Sequence, residues 1–194
     1  YHRKIGPDPA SINSAMIGGI AANNASGMCC GTKQNTYQTL DSMKILFNEG
    51  TFLDTANEAS RASFRKTHPD LLADITKLTH DVKSNHQLAQ RIKNKFKMKN
   101  TTGFSLNALV DFEDPFEVLQ HLMIGSEGTL GFIAEITYKT VKEDPFKASS
   151  LIIYPDNEKA CQASSLLKSQ PVAAVELMDR AGLRTMENAE GIPS

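Results

Sequence analysis

Residues 6–31 read GPDPASINSAMIGGIAANNASGMCCG, and the rest of the chain is interpreted from this run. It holds five glycines (Gly6, Gly18, Gly19, Gly27, Gly31), two prolines and many Ala and Ser, but no Lys, Arg or Glu. Glycine tolerates positive φ and lets another group come close to the backbone. Small side chains between the glycines leave amide N–H groups open to whatever lies above them. Backbone N–H groups can hold anionic oxygens without any side chain, which is what a phosphate or a flat polar cofactor requires. The run therefore reads as a cofactor loop.

Composition narrows the alternatives. In 194 residues, 40% are apolar and 22% charged, as in a soluble globular protein with room for one domain or a little more. The formal net charge of −1 provides no basic face for nucleic acid. No apolar run approaches the ~20 residues of a membrane-spanning helix. Three cysteines, Cys29, Cys30 and Cys161, form an odd set with two adjacent members. That argues against a secreted disulfide framework and for a reducing, cytoplasmic compartment, compatible with peripheral attachment at the inner face of the membrane. The first residues enter a Gly-Pro loop with no preceding element, and Gly191-Ile192-Pro193-Ser194 follow an expected helix. Both ends are expected to be cut from a longer protein.

Working outward, residues 6–11 read as a turn, with Pro7 and Pro9 fixing φ. Asn13 or Ser14 is expected to cap a short helix through Met16, Ile17 and Ile20. Gly18-Gly19 inside it costs roughly 1 kcal/mol each against Ala, so the pair must serve close approach of a backbone or a ligand. Residues 24–38 read as irregular. Residues 42–47 and 51–54 form a hairpin around Asn48-Glu49-Gly50. Residues 56–98 read as helical, with Leu71, Leu72, Ile75 and Leu78, then Leu88, Ile92 and Phe96, at helical spacing. Lys93, Lys95, Lys97 and Lys99 read as a solvated face, since no aromatic residues interleave with them.

Residues 100–111 read as a loop with an apolar centre. Asp114-Pro115 opens a helix through Leu122. A second glycine cluster, Gly125-Ser126-Glu127-Gly128-Thr129-Leu130-Gly131, leads into a strand over residues 132–141. Beyond residue 145 the expected order is strand (149–154), helix (from 155), strand (173–177), helix (from 179). That order suggests the start of a ferredoxin-like α+β module. Neither glycine cluster fits GxGxxG after a strand or GxxxxGK[ST], so Rossmann and P-loop readings are disfavoured. Taken alone, each cluster is more often a structural turn than a ligand site.

Taken together they carry more. PDPASINSAMIGGIAANNASGMCCGT, then NEGTFLDT, then IGSEGTLGFIAEITYKTV resemble the FAD-binding domain of the vanillyl-alcohol oxidase (p-cresol methylhydroxylase) type. Within that type the resemblance is to the D-2-hydroxyacid dehydrogenases acting on D-lactate, glycolate or D-2-hydroxyglutarate. The MIGGIAANNASGMCCGT form is similar to large bacterial members with a C-terminal iron–sulfur domain. The resemblance implies an α+β fold: the second part of such an FAD-binding domain, mostly antiparallel sheet with flanking helices, over residues 1–145 with a helical insertion at 56–110. The beginning of a cap domain for substrate then occupies residues 146–194.

The resemblance also implies positions. The segment from Pro7 to Met16, including Pro9, Ser14 and Ala15, passes beside the isoalloxazine and ribityl chain. Gly18, Gly19 and Ala22, Asn23, Asn24, Ser26 and Gly27 lie along ribityl and pyrophosphate. Glu127, Gly128, Thr129, Leu130, Gly131 and Ile133 line the ribityl–adenosine side. Hydroxyl and amide groups of Ser14, Asn23, Asn24, Ser26 and Thr129 suit ribityl hydroxyls or phosphate oxygens. The implied reaction is hydride transfer from the α-carbon of a small 2-hydroxyacid to flavin N5, with electrons leaving to an acceptor such as quinone or cytochrome. A first strand–loop–strand half, the substrate Arg, the catalytic and metal-binding His residues and the iron–sulfur cysteines are expected outside this sequence. No catalytic residue and no metal ligand is assigned within it. The open alternatives are glycolate or D-2-hydroxyglutarate as substrate, an alkyl-transfer enzyme of the same fold, or a non-enzymatic nucleotide-binding module.

The remaining candidates read as structural. Cys29 and Cys30 read as small buried or loop thiols. His80 and His86 lack the i, i+4 spacing of a zinc helix, and His2 and His68 carry no motif. His121 reads as an ordinary helix-face histidine, although it precedes the second cluster. Glu127 is balanced between capping amides of its own loop and contacting the flavin.

Overall fold

The computed structural model describes residues 1–185. They fall into two units, Tyr1–Glu143 and the chain from Asp144 onward. The first unit begins with β1 (Arg3–Lys4), α1 (Ile17–Ala22) and α2 (Thr36–Thr39). The hairpin β2 (Leu40–Leu46) and β3 (Phe52–Asp54) follows. Helices α3 (Glu58–Thr67), α4 (Pro69–Ser84), α5 (His86–Lys95), α6 (Ala108–Asp111) and α7 (Pro115–Leu122) come next. Strands β4 (Phe132–Tyr138) and β5 (Val141–Lys142) close the unit. One antiparallel sheet has the order β3-β2-β4, and a second pairs β1 with β5. The expected α+β class with antiparallel sheets and flanking helices is what forms.

Local chemistry explains most boundaries. Gly50, at φ +88°, turns the hairpin and sets Leu46 opposite Phe52. Asparagine and aspartate open the helices: Asn57 accepts from the Ser60 amide, Asn85 from Leu88 and Asp114 from Phe116. Proline stands in the first turn of α4 and α7, where a missing N–H costs nothing. Helix α1 departs from expectation. It starts at Ile17 with Met16 as its cap residue and no side-chain cap bond, because residues 10–14 are spent in turns.

The core lies between β2 and the helices. Met43, Ile45 and Leu53 pack with Phe64, Phe116, Val118, Met123 and Ile124. Helix α4 faces it with Leu72, Ile75, Thr79 and Val82, whereas Leu71 and Leu78 are 38% and 48% exposed. Residues 71 and 78 sit one helical step off the stripe set by 72, 75, 79 and 82. A buried polar chain ties β3 to α7: Thr55 donates to Gln120 Oε1 at 2.6 Å and accepts from the Met43 amide at 2.9 Å. The Arg61 guanidinium lies 4.5 Å from the Phe116 ring centre and pairs with Asp114 at the head of α7. The expected strand over 132–141 ends earlier, at Tyr138. The Lys139 amide then donates to Thr39, and Val141 opens the separate ladder with Lys4.

The second unit holds α8 (Asn157–Leu167) and α9 (Arg180–Arg184), capped by Asp156 and Asp179 as their sequences suggest. The strands expected over 149–154 and 173–177 do not form among the described residues. A strand exists only with a ladder partner, and Leu151 and Ile153 remain 77% and 87% exposed. The strand expectations for these two segments are corrected accordingly: among the described residues this unit shows two helices. The expectation for residues 191–194 lies outside the described residues.

Candidate functional site

The two glycine clusters, far apart in sequence, meet at the end of α1. The Gly125 amide donates to Ala21 at 3.2 Å and the Glu127 amide to Ala22 at 2.8 Å. Asn23 Nδ2 donates to Glu127 Oε1 at 2.8 Å across 104 residues of chain. Glu127, with φ at +51°, thus neither caps its own loop nor stands free; it locks one cluster to the other.

The neighbouring glycines of α1 have different jobs. A Cβ on Gly18 would lie 2.7 Å from the Ile133 carbonyl oxygen, so Gly18 lets α1 lie directly against β4. A Cβ on Gly19 would meet nothing within 4 Å, and the same is true at Gly128. These two positions form the open side of the junction, flanked by exposed Met16, Asn23, Glu127, Thr129 and Leu130. Ala15, Ala22 and Gly131 are half-buried beside it, and a Cβ on Gly131 would press on Leu46 and Ile45 of β2. Gly18→Ala is therefore expected to destabilise the first unit by about 1–3 kcal/mol through overpacking. Gly19→Ala is expected to stabilise the fold by up to about 1 kcal/mol from helix propensity while weakening retention of a cofactor. Urea unfolding midpoints and cofactor content of the two purified variants test this; equal effects at both positions would contradict the division.

Other expected site residues turn inward. Pro9, Asn24, Ser26 and Ile133 are buried. Asn24, at φ +54°, donates through Nδ2 to the Asn100 carbonyl, and Ser26 donates to the Asn24 carbonyl. Their side chains build the loop. Gly27, at φ +76°, bridges to Asp8, whose amide donates to Ser26 at 3.1 Å. Ser14 and Thr129, both exposed, donate locally to the Ser11 and Ser126 carbonyls. Sequence reasoning missed the segment 99–103. Lys99 donates to the Gly27 carbonyl, Asn100 receives Asn24, and the Gly103 carbonyl lies where a Cβ on Gly125 would be, 2.4 Å away. Gly103 and Gly125 both take positive φ where they meet, and no residue-type signal announces the contacts of Lys99 and Asn100.

His121 is a core residue, 3% exposed, rather than a helix-face histidine. Its ring stacks on Phe112 at 4.2 Å and meets Tyr37 edge-on at 4.7 Å, with Nδ1 2.7 Å from the Glu117 carbonyl. Burial lowers its pKa to about 4, against the pull of hydrogen bonds to the Glu117 and Tyr37 backbone. Burial, then Asp111, raises the Tyr37 phenol, which donates to Asp111 at 2.8 Å. Cys30 is buried with its thiol on the Ser26 carbonyl, and burial raises its pKa; Cys29 is exposed. No group of three or more His, Cys, Asp or Glu residues is arranged for a metal among the described residues. No helix among them is long and apolar enough to cross a membrane.

Residues 1–56 match the family model described as FAD binding domain. The match spans the first cluster and the β2–β3 hairpin. It supports an FAD-binding domain of the vanillyl-alcohol oxidase and p-cresol methylhydroxylase type, and with it a flavin-dependent oxidoreductase. No curated protein and no solved structure matches the chain. The residues present fit FAD as cofactor. Gly19 and Gly128 leave open space beside the junction, and the buried Ser126 hydroxyl there has no hydrogen-bond partner among the described residues.

Proposed function

We propose that the chain is the FAD-binding portion of a D-2-hydroxyacid dehydrogenase that oxidises D-lactate and passes electrons to an acceptor such as quinone or cytochrome. The observation that carries this reading is the junction of the two small-residue clusters, with Gly19 and Gly128 open to one side and Asn23–Glu127 closing the seam. The MIGGIAANNASGMCCGT form supports the hydroxyacid branch by its resemblance, and iron–sulfur chemistry belongs to a separate domain in this reading. On the proposed boundaries, residues 1–145 hold the cofactor and 146–194 begin the substrate cap.

Bound FAD would supply the two-electron acceptor. The chain's own residues would shape its seat. Gly18 sets the depth of α1 against β4. Gly19 and Gly128 admit close backbone approach, and Ser14, Asn23 and Thr129 present polar atoms to ribityl or phosphate oxygens. Glu127 keeps Asn23 oriented. Ala15, Met16, Ala22, Leu130 and Gly131 are proposed to wall the seat, with Pro9, Asn24, Ser26, Gly27 and Ile133 supporting it from within.

The test uses the full-length protein under anaerobic conditions. It is expected to be yellow, and D-lactate is expected to bleach the flavin band faster than glycolate or D-2-hydroxyglutarate. Faster bleaching by either of the others reassigns the substrate. A colourless protein that takes up ADP but no FAD would replace the enzyme reading with a nucleotide-binding module.

A further inference from the structure

Beneath the cofactor loop lies a cavity of about 30 Å³ lined by Asn24, Asn107, Thr32, Ser105 and Tyr37. Asn24 is 4% exposed and Asn107 8%, and the Oδ1 atom of each has no hydrogen-bond partner among the described residues. The orientation of both amides is determined by their other ends. Asn24 Nδ2 donates to the Asn100 carbonyl at 3.1 Å, and Asn107 Nδ2 donates to Asp111 Oδ2 at 3.2 Å. A carbonyl and a carboxylate only accept, so neither amide can be turned over without losing its bond. Two residues that each carry a buried, unpartnered amide oxygen of like-signed partial charge therefore line one small space.

We propose that this cavity binds one small electropositive guest, a monovalent cation or an ordered water, held between the Asn24 and Asn107 amide oxygens. The available space exceeds the ~10–15 Å³ that one water needs, and a buried amide oxygen calls for a donor or a cation. Every lining residue is neutral, so the site lacks the carboxylates that a divalent ion takes. Asp111, engaged by the Tyr37 hydroxyl and by Asn107, stands behind the cavity and favours positive charge within it. Asn24 belongs to the cofactor loop and Asn107 immediately precedes α6, so the guest ties the loop to the segment 100–111. The inference concerns packing under the loop and does not depend on the cofactor or substrate assigned above.

The test is NMR of the side-chain amides of Asn24 and Asn107 in the full-length chain. It is run in potassium, ammonium or N-methylglucamine chloride at constant ionic strength. A cation guest gives saturable shifts at both amides with potassium or ammonium and none with N-methylglucamine. A water guest gives persistent water cross-peaks at both amides in all three salts. Asn107→Leu is expected to abolish either signal at Asn24. The proposal is overturned if the parent shows neither signal, which needs no variant to fold, or if the Asn24 signal survives in a folded Asn107→Leu.

Discussion

Gly27→Ala is expected to destabilise the first unit by about 3 kcal/mol or more, and to release the cofactor loop from the chain entering it. Two costs combine. A non-glycine residue at φ +76° pays about 1–2 kcal/mol for left-handed backbone. The added Cβ would also lie 2.0 Å from the Asp8 carbonyl oxygen, where backbone must move, at an overpacking cost of about 1–3 kcal/mol. Gly31→Ala is the matched control: its φ is +53°, but a Cβ there meets nothing within 4 Å, so only the conformational cost of about 1 kcal/mol applies. Urea unfolding of the full-length protein compares the two. Equal losses would mean that the Asp8–Gly27 bridge contributes nothing to the native loop.

The second large effect is a loss of stability on acidification, carried by His121. In the fold its pKa is lowered to about 4 from the ordinary 6.5, chiefly by burial. Between these values the unfolded chain binds the proton and the folded chain does not. Stability is therefore complete above pH 6.5 and declines as the pH falls towards 4, by about 3 kcal/mol over that window. Lys139 disfavours the protonated form and Asp111 favours it, and both are included in the shifted value. His121→Phe keeps a ring between Tyr37 and Phe112 but removes the titration. Whatever its stability at pH 7, its unfolding free energy is expected to fall less between pH 7 and 4 than the parent's, by about the same 3 kcal/mol. Parallel pH profiles for the two proteins would refute the assignment.

Elements governed by neighbours in sequence were legible. Asn48-Glu49-Gly50 announces the hairpin, because a two-strand turn needs a residue at positive φ. Asp114, Asp156 and Asp179 announce helices, because each side chain reaches an amide two or three residues on, whereas the breaks at Asn57 and Asn85 that divide residues 56–98 into separate helices show only in the structure. Legibility fails where a partner is required. Residues 149–154 carry strand-forming side chains, yet a strand needs a ladder that nothing in the described unit supplies. Leu71 and Leu78 satisfy helical spacing as well as Leu72 and Ile75 do. The choice between the stripes belongs to the surface that the helix packs against.

The same boundary runs through the candidate site. From sequence alone follow the cofactor loop, the second glycine cluster and the helices between them, since glycine content, caps and periodicity are local properties. The family match over residues 1–56 covers the first of these. Tertiary structure alone distinguishes Gly18, pressed on the Ile133 carbonyl, from Gly19, facing open space, though the two are chemically identical neighbours. It also brings Asn23 onto Glu127, buries His121 and brings Asn24 and Asn107 to the lining of one cavity. The reason is physical: whether a small residue admits a backbone or a ligand depends on what stands above it, and that is decided by contacts between distant parts of the chain.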